Sequence, residues 1–285
     1  MLLSKHTFEA LGTQWEIITD RPMSRTLIDT INNRIELFDS AYSRFRSDSI
    51  VTQMAKSAGS YVFPDDVMPL MDFYKELYDA TLGKVTPLIG RSLELSGYDA
   101  NYSFIERSQV PVPSWGEVLK IEGSVLTTTR PVVLDVGAAG KGYLVDIVGS
   151  LIDQQGISDY VVDASGDLIH KGSIQNRVGL EHPFQPDTII GVIDVQNRSI
   201  CASATNRRSW GEGLHHIFDP DTQAPVKGIV ATWVVADTAL IADGLATALF
   251  FTEPAVLAEQ FNFEYVRMNE KGAIDYNHKF SGELF

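Results

Sequence analysis

The sequence predicts an α+β protein of two lobes, built on a largely antiparallel sheet with helices packed on one face. Three observations lead there. Helical periodicity is confined to a few stretches, and between residues 177 and 236 strand-like segments follow one another without an intervening helix. No Pro-, Gly- or Ser-rich linker divides the chain, so the lobes are expected to interweave in one body spanning residues 1–285. A chain of 285 residues is long enough to bury a sizeable core either as one large domain or as two interlocked lobes.

From the N-terminus, residues 7–19 read as a strand with Gly12 as a bulge. Ser24 is placed to cap a helix in which Leu27, Ile31, Ile35, Phe38, Tyr42 and Phe45 recur every three or four residues. A second amphipathic helix spans 65–82 and stops at Gly83. After an irregular stretch, "VLKIEGSVLTTT" reads as a hairpin turning at Gly123-Ser124. The middle reads strand, glycine loop, helix, strand: "PVVLDVGAAG", "KGYLVDIVGSLIDQQG", "DYVVDASGDLIHKG". Then "RVGLEH", "TIIGVIDVQN", "SICASA", "LHHIFD" and "IVATWVVAD" read as strands. A helix through 241–250, a short helix near 254–261 and a closing strand pair complete the chain.

Composition excludes several function classes. The net charge of −14 opposes general binding of nucleic acid or anionic membrane, while leaving room for one phosphorylated ligand held by local groups. Cys201 is the only cysteine, which rules out an intrachain disulfide and a cysteine-cluster metal site. The opening "MLLSKHT" is too short in apolar residues for a signal peptide, and no stretch reads as a membrane span, so a cytoplasmic setting is the default expectation.

Four stretches are candidates for chemistry. In "LDVGAAGKGY", Gly137, Gly140 and Gly142 suit either close packing of helix on strand or backbone amides that cradle phosphate, with Lys141 as an added cation. The order G-x-x-G-x-G matches neither the dinucleotide fingerprint nor the P-loop. "VDASGDL" most simply turns at Ser165-Gly166-Asp167, and a serine-nucleophile reading fails because G-x-S-x-G is absent. In "HHIFDPDTQAPV", adjacent His215 and His216 face opposite sides of a strand, Asp219-Pro220-Asp221 suits a turn, and His216 suits a ring of near-neutral pKa that contacts ligand or moves a proton. In "IADGLATALF", Asp243 and Thr247 lie one helical turn apart on the same face. Either they serve an ordinary buried helix, or they offer hard oxygens to one cation such as magnesium.

Taken together and in order, "ALGTQW", "YSRFRSDS", "LDVGAAGKGYLVD", "VDASGDL", "RVGLEHP", "SICASA", "HHIFDPDTQAPV" and "ADGLATALF" resemble the FAD:protein FMN transferases, the ApbE-like flavin transferases. The resemblance runs from about residue 8 to 268 and implies a T-fold-like core with FAD in a cleft between the lobes. It implies transfer of FMN from FAD to a threonine or serine of a partner protein, with AMP released and magnesium on the pyrophosphate. The metal ligands it implies are Asp243, Thr247 and the backbone oxygen of Ala138. It assigns flavin-nucleotide contacts to Leu11, Phe45, Asp135, Lys141 and His216, and contacts with the adenine side to Lys84, Val85 and Thr86. Asp243 and His216 are alternative bases for the incoming hydroxyl. Three segments depart from the family pattern: "GKVTPLIG" stands for G-A-F-D-P-T-V-G, "ASA" at 202–204 for T-S-G, and "DPDTQ" at 219–223 for D-P-R-T-G. These departures keep two alternatives open, an FAD pyrophosphatase and a non-catalytic FAD-binding protein.

Overall fold

The computed structural model describes residues 4–285; Leu2 and Leu3, on which part of the signal-peptide reading rests, lie outside the described residues. Two compact units emerge, each assembled from separated stretches of chain. The first comprises the described residues up to Ile35, then Ala139–Arg207 and Lys227–Phe285; the second comprises Glu36–Ala138 and Arg208–Val226.

The first unit is built on an eight-stranded sheet. Its strands run, in spatial order, Ser4–Ala10, Thr13–Thr19, Tyr160–Asp163, Asp167–Lys171, Ser199–Ala204, Ile229–Ala236, Glu264–Asn269 and Ile274–Tyr276, each antiparallel to its neighbour. The helices Gly140–Gln154 and Ala239–Ala248 pack on one face, where Cys201 Sγ and Thr232 Oγ1 reach the carbonyls of Ala239 and Ala246. On the other face Ile200, Ala231, Trp233 and Val235 pack with Leu180, Ile190 and Ile193. Those last three belong to a smaller sheet of Arg177–Glu181, Ile189–Asp194 and Glu283–Leu284. Burial on both faces explains why the central strands read as nearly continuous apolar runs. The expected antiparallel sheet with helices on one face is what forms.

The second unit carries the helices Ile50–Met54, Val67–Ala80, Gly90–Leu95 and Trp115–Val118, with a three-stranded sheet ordered Gly59–Val62, Val125–Thr128, Leu119–Glu122. The hairpin at Gly123-Ser124 forms as expected. Ser24 caps the helix Arg25–Tyr42 by accepting the Leu27 amide at 3.1 Å.

The local differences have local causes. Residues 7–19 form a hairpin, not one bulged strand: Leu11 and Gly12 both adopt positive φ, at 50° and 71°, which a tight two-residue turn demands. "PVVLDVGAAG" is not a strand. Its amides at Val132 and Asp135 bond instead to the lone carbonyls of Met54 and Pro87, so no ladder forms. "LHHIFD" splits into Leu214–His215 and Phe218–Asp219, each in its own short hairpin. "DYVVDASGDL" likewise folds back on itself, with Ser165 and Gly166 at positive φ. The helix expected near 254–261 is shorter, Pro254–Leu257.

Candidate functional site

In the first unit the glycine loop and the Asp243 helix meet backbone to backbone. A Cβ at Gly142 would lie 2.1 Å from the Ala239 carbonyl oxygen and 2.7 Å from Asp243 Cβ, so only glycine admits this approach. The Gly142 amide, one of the unbonded donors at the helix start, donates to Asp243 Oδ2 at 2.9 Å. Asp243 is buried and Thr247, one turn on, is half-buried. The start of the Asp243 helix is held by Thr238, whose hydroxyl accepts the Ile241 amide, and by Asp146, whose two oxygens each accept an amide, from Ala239 and Leu240, at 2.8 Å. Burial outweighs those two bonds and pushes the Asp146 carboxyl up to about 6.

Lys141 does not extend freely into solvent. Its Nζ donates to the Ala164 carbonyl at 2.8 Å and to the Ser165 carbonyl at 3.4 Å, and lies 3.1 Å from Asp167 Oδ2. Ser165 Oγ in turn donates to the Gln14 carbonyl at 2.7 Å. The turn at 164–166 thus ties Lys141 to the hairpin whose tip is Leu11. Elsewhere in this unit a cavity of about 550 Å³ opens beside Ala202, Ser203, Ala204, Phe184 and Trp233. The "ASA" departure therefore lines a hollow, and its Ala202 amide donates to the Gly166 carbonyl at 3.0 Å, in the turn that holds Lys141.

The second unit gathers side chains on side chains. Arg44, buried, donates from Nε to Asp135 Oδ2 and from Nη1 to the Tyr98 carbonyl, both at 2.6 Å. Its guanidinium carbon stands 4.2 Å above the Phe45 ring and 4.8 Å from that of Tyr98. Phe45 stacks with Tyr102, and Tyr98 with Trp210. Burial works against charge on Asp135, yet Arg44 and the Gly137 amide hold its carboxyl below the usual carboxylate range. Ala138 donates its amide to the Tyr74 hydroxyl at 3.1 Å.

His216 departs from expectation. Burial, then the positive charge of Arg208, lowers it to about 3, so it is neutral at pH 7 and a weak base instead of a near-neutral one. His215 Nε2 lies 3.2 Å from the Val226 carbonyl, while His216, just past the end of the strand Leu214–His215, turns Nδ1 to the Arg208 carbonyl, so the pair is not one of alternating strand residues. Lys84, Val85 and Thr86 are also engaged. Lys84 Nζ lies 2.8 Å from both Asp219 Oδ1 and Asp221 Oδ2. Val85 and Thr86 are buried, and the Thr86 hydroxyl accepts the Leu88 amide.

Sequence reasoning missed Arg44, Tyr98, Trp210 and Asp146. Arg44 had a signal, a basic residue between Tyr42 and Phe45 in a stretch already singled out. Tyr98 and Trp210 come from irregular segments far apart in sequence and had none. Among the described residues no group of three or more His, Cys, Asp or Glu is placed to hold a metal, and no helix is long and apolar enough to cross a membrane.

Comparison with known proteins matches this arrangement to one family. The model of the ApbE family matches residues 11–266. The FAD:protein FMN transferase of Escherichia coli K12 is 23% identical over 276 residues, covering 86% of this chain and 77% of the relative. That of Vibrio cholerae is 27% identical over 235 residues, covering 78% and 70%. Among solved structures, the flavin transferase ApbE of Vibrio cholerae superposes with a TM-score of 0.81 at 22% identity, covering 97% of this chain and 96% of that one. The ApbE protein of Thermotoga maritima gives 0.84 at 22%, covering 98% of each. With a family match that takes in the hairpin of Leu11, the glycine loop and the Asp243 helix alike, this chain belongs to the ApbE family.

Proposed function

We propose that this chain is an FAD:protein FMN transferase, moving the FMN portion of FAD to a threonine or serine hydroxyl of an acceptor protein and releasing AMP. The activity of the related FAD:protein FMN transferases suggests the reaction. The observation that carries it here is the crossing in the first unit, where Gly142 brings a helix start against Asp243.

A carboxylate and a hydroxyl one turn apart fit magnesium, which takes few protein oxygens and fills its shell with water and phosphate oxygens. Bound there, the ion would supply charge stabilisation on the pyrophosphate. The Ala138 backbone oxygen is the third expected ligand. In the reaction the acceptor oxygen forms a bond to the FMN phosphorus and the bond from that phosphorus to the AMP oxygen breaks. AMP leaves with the electron pair and the hydroxyl proton passes to the base. Asp243 suits that base better than His216, because an imidazole lowered to about 3 has little affinity for a proton at neutral pH. On the family resemblance, Lys141 would bind a phosphate oxygen, Leu11, Phe45, Asp135 and His216 would supply further contacts with FAD, and Lys84, Val85 and Thr86 would contact its adenine side.

The test is product analysis. Protein with FAD, magnesium and a threonine-bearing acceptor should yield AMP and flavin bound covalently to the acceptor. Asp243→Ala should lose this turnover by about a hundredfold or more while staying folded, and Thr247→Ala should lose less, as a neutral oxygen contributes less than a carboxylate. Free FMN with AMP regardless of acceptor, or intact FAD, would overturn the assignment.

A further inference from the structure

Asp167 is a buried carboxylate of the first unit left without a hydrogen bond. It is 1% exposed, and neither of its oxygens accepts a hydrogen bond. Across the strand ladder it faces Cys201, a buried thiol whose Sγ is turned to the Ala239 carbonyl. Among the described residues its one ion pair is with Lys141, 3.1 Å away without hydrogen-bond alignment, since the lysine donates to Ala164 and Ser165 instead. A buried, unbonded carboxylate is costly, and an apolar residue of similar size would pack there without that cost. The charge at this position therefore acts on its one partner.

We propose that Asp167 is a positioning residue that restrains Lys141 and sets how strongly that lysine grips an anionic group, the phosphate of a flavin nucleotide. The ligand class rests on the proposed function; the restraint rests on the geometry alone. Lys141 is held by one carboxylate and two carbonyls, and any phosphate oxygen it meets must share the ammonium with them. The negative charge of Asp167 also repels the incoming anion directly. The pair thereby keeps the lysine aimed while weakening its hold, which favours release of a phosphorylated product over tight retention of substrate.

The test combines binding and stability. Asp167→Asn, which keeps shape and removes charge, should tighten FAD binding about three- to tenfold at low salt and leave riboflavin, which has no phosphate, unchanged. In a Lys141→Met background the same substitution should tighten FAD clearly less, because only the direct repulsion by Asp167 is then relieved. Asp167→Glu, which keeps the charge, should stay near wild type. Should Asp167→Asn misfold, Asp167→Leu carries the same reading. Separately, Lys141→Met should lower the melting temperature by stranding the buried carboxylate, and adding Asp167→Asn should restore most of the loss. Weaker or unchanged FAD binding in folded Asp167→Asn, or a double variant no more stable than Lys141→Met, would overturn the restraint. If the wild type binds no FAD, the proposed function fails, and the melting-temperature cycle still decides whether Asp167 and Lys141 act as a pair.

Discussion

The two units make their candidate sites by opposite means. In the first, main chain meets main chain: the Gly142 amide, the Ala239 carbonyl and the caps from Asp146 and Thr238 set where Asp243 stands. In the second, side chains meet side chains, with Arg44 as a buried hub for Asp135, Phe45 and Tyr98. A backbone crossing tolerates no added atom, whereas a side-chain cluster tolerates reshaping but not an unmatched charge. The sharpest break of the first should come from adding one carbon, and of the second from removing one charge.

The largest effect is expected from Gly142→Ala. The new Cβ would sit 2.1 Å from a carbonyl oxygen and 2.7 Å from a carbonyl carbon, both backbone atoms that no rotamer change can move. Overpacking against flexible side chains costs about 1–3 kcal/mol, and here the helices themselves must part, so about 3 kcal/mol or more is expected. Denaturant unfolding would measure it. A loss under 1 kcal/mol would mean that the two helices part easily and the crossing does not depend on glycine.

Arg44→Met comes next. It leaves the half-buried Asp135 charged and unmatched, and breaking such a pair costs about 3 kcal/mol. Arg44→Met with Asp135→Asn should recover part of that loss. The pH dependence has a definite sign. Asp135 is held below its unfolded pKa, so its contribution is present above about pH 4 and is lost as pH falls through the folded value. Acid unfolding of Asp135→Asn should therefore lack that component.

This contrast also governs what could be read from the sequence. Asp243, Thr247 and Lys141 were legible because helical spacing places side chains on a face, and glycine spacing marks close approach. The antiparallel sheet was legible from successive apolar strands. The hub at Arg44 was not, because Tyr98 and Trp210 reach it through segments with no period, and the Trp210 indole bonds to a carbonyl more than a hundred residues away, at Ser96. The hairpin at Leu11 was missed because a leucine at φ 50° has no sequence signature; glycine beside it suggested only a bulge.

A smaller effect should separate a cap from a site. Asp146 caps the Asp243 helix yet has its carboxyl pushed up to about 6, so the folded state prefers it protonated. The sign is opposite to that of Asp135. Its cost is absent below the unfolded value of about 4 and grows until about pH 6. Relative to wild type, Asp146→Asn should gain melting temperature between pH 4 and 7, against about 1 kcal/mol lost because an amide nitrogen cannot accept a bond. A gap independent of pH would mean the carboxyl titrates normally.

The smallest effect concerns the two departures from the family pattern at 84–86 and 219–223. In sequence they read as separate losses, a stacking ring and a carboxylate in one place and an arginine in the other. In the second unit they form one cluster, with Lys84 between Asp219 and Asp221. The two aspartates are unequal. Asp221 is 73% exposed and its share of the lysine is screened, whereas Asp219 is 18% exposed and also accepts the Asp221 and Thr222 amides that close the turn. Exposed pairs contribute about 0–1 kcal/mol, so Asp221→Asn should change stability by less than about 0.5 kcal/mol. Lys84→Met should cost more, about 1 kcal/mol, because it leaves Asp219 without its cation while the turn amides keep it charged. Asp219→Asn in the Lys84→Met background should then return part of that loss. Equal effects from Asp221→Asn and Lys84→Met would mean the lysine is held by the exposed carboxylate, and that the two altered segments do not depend on each other.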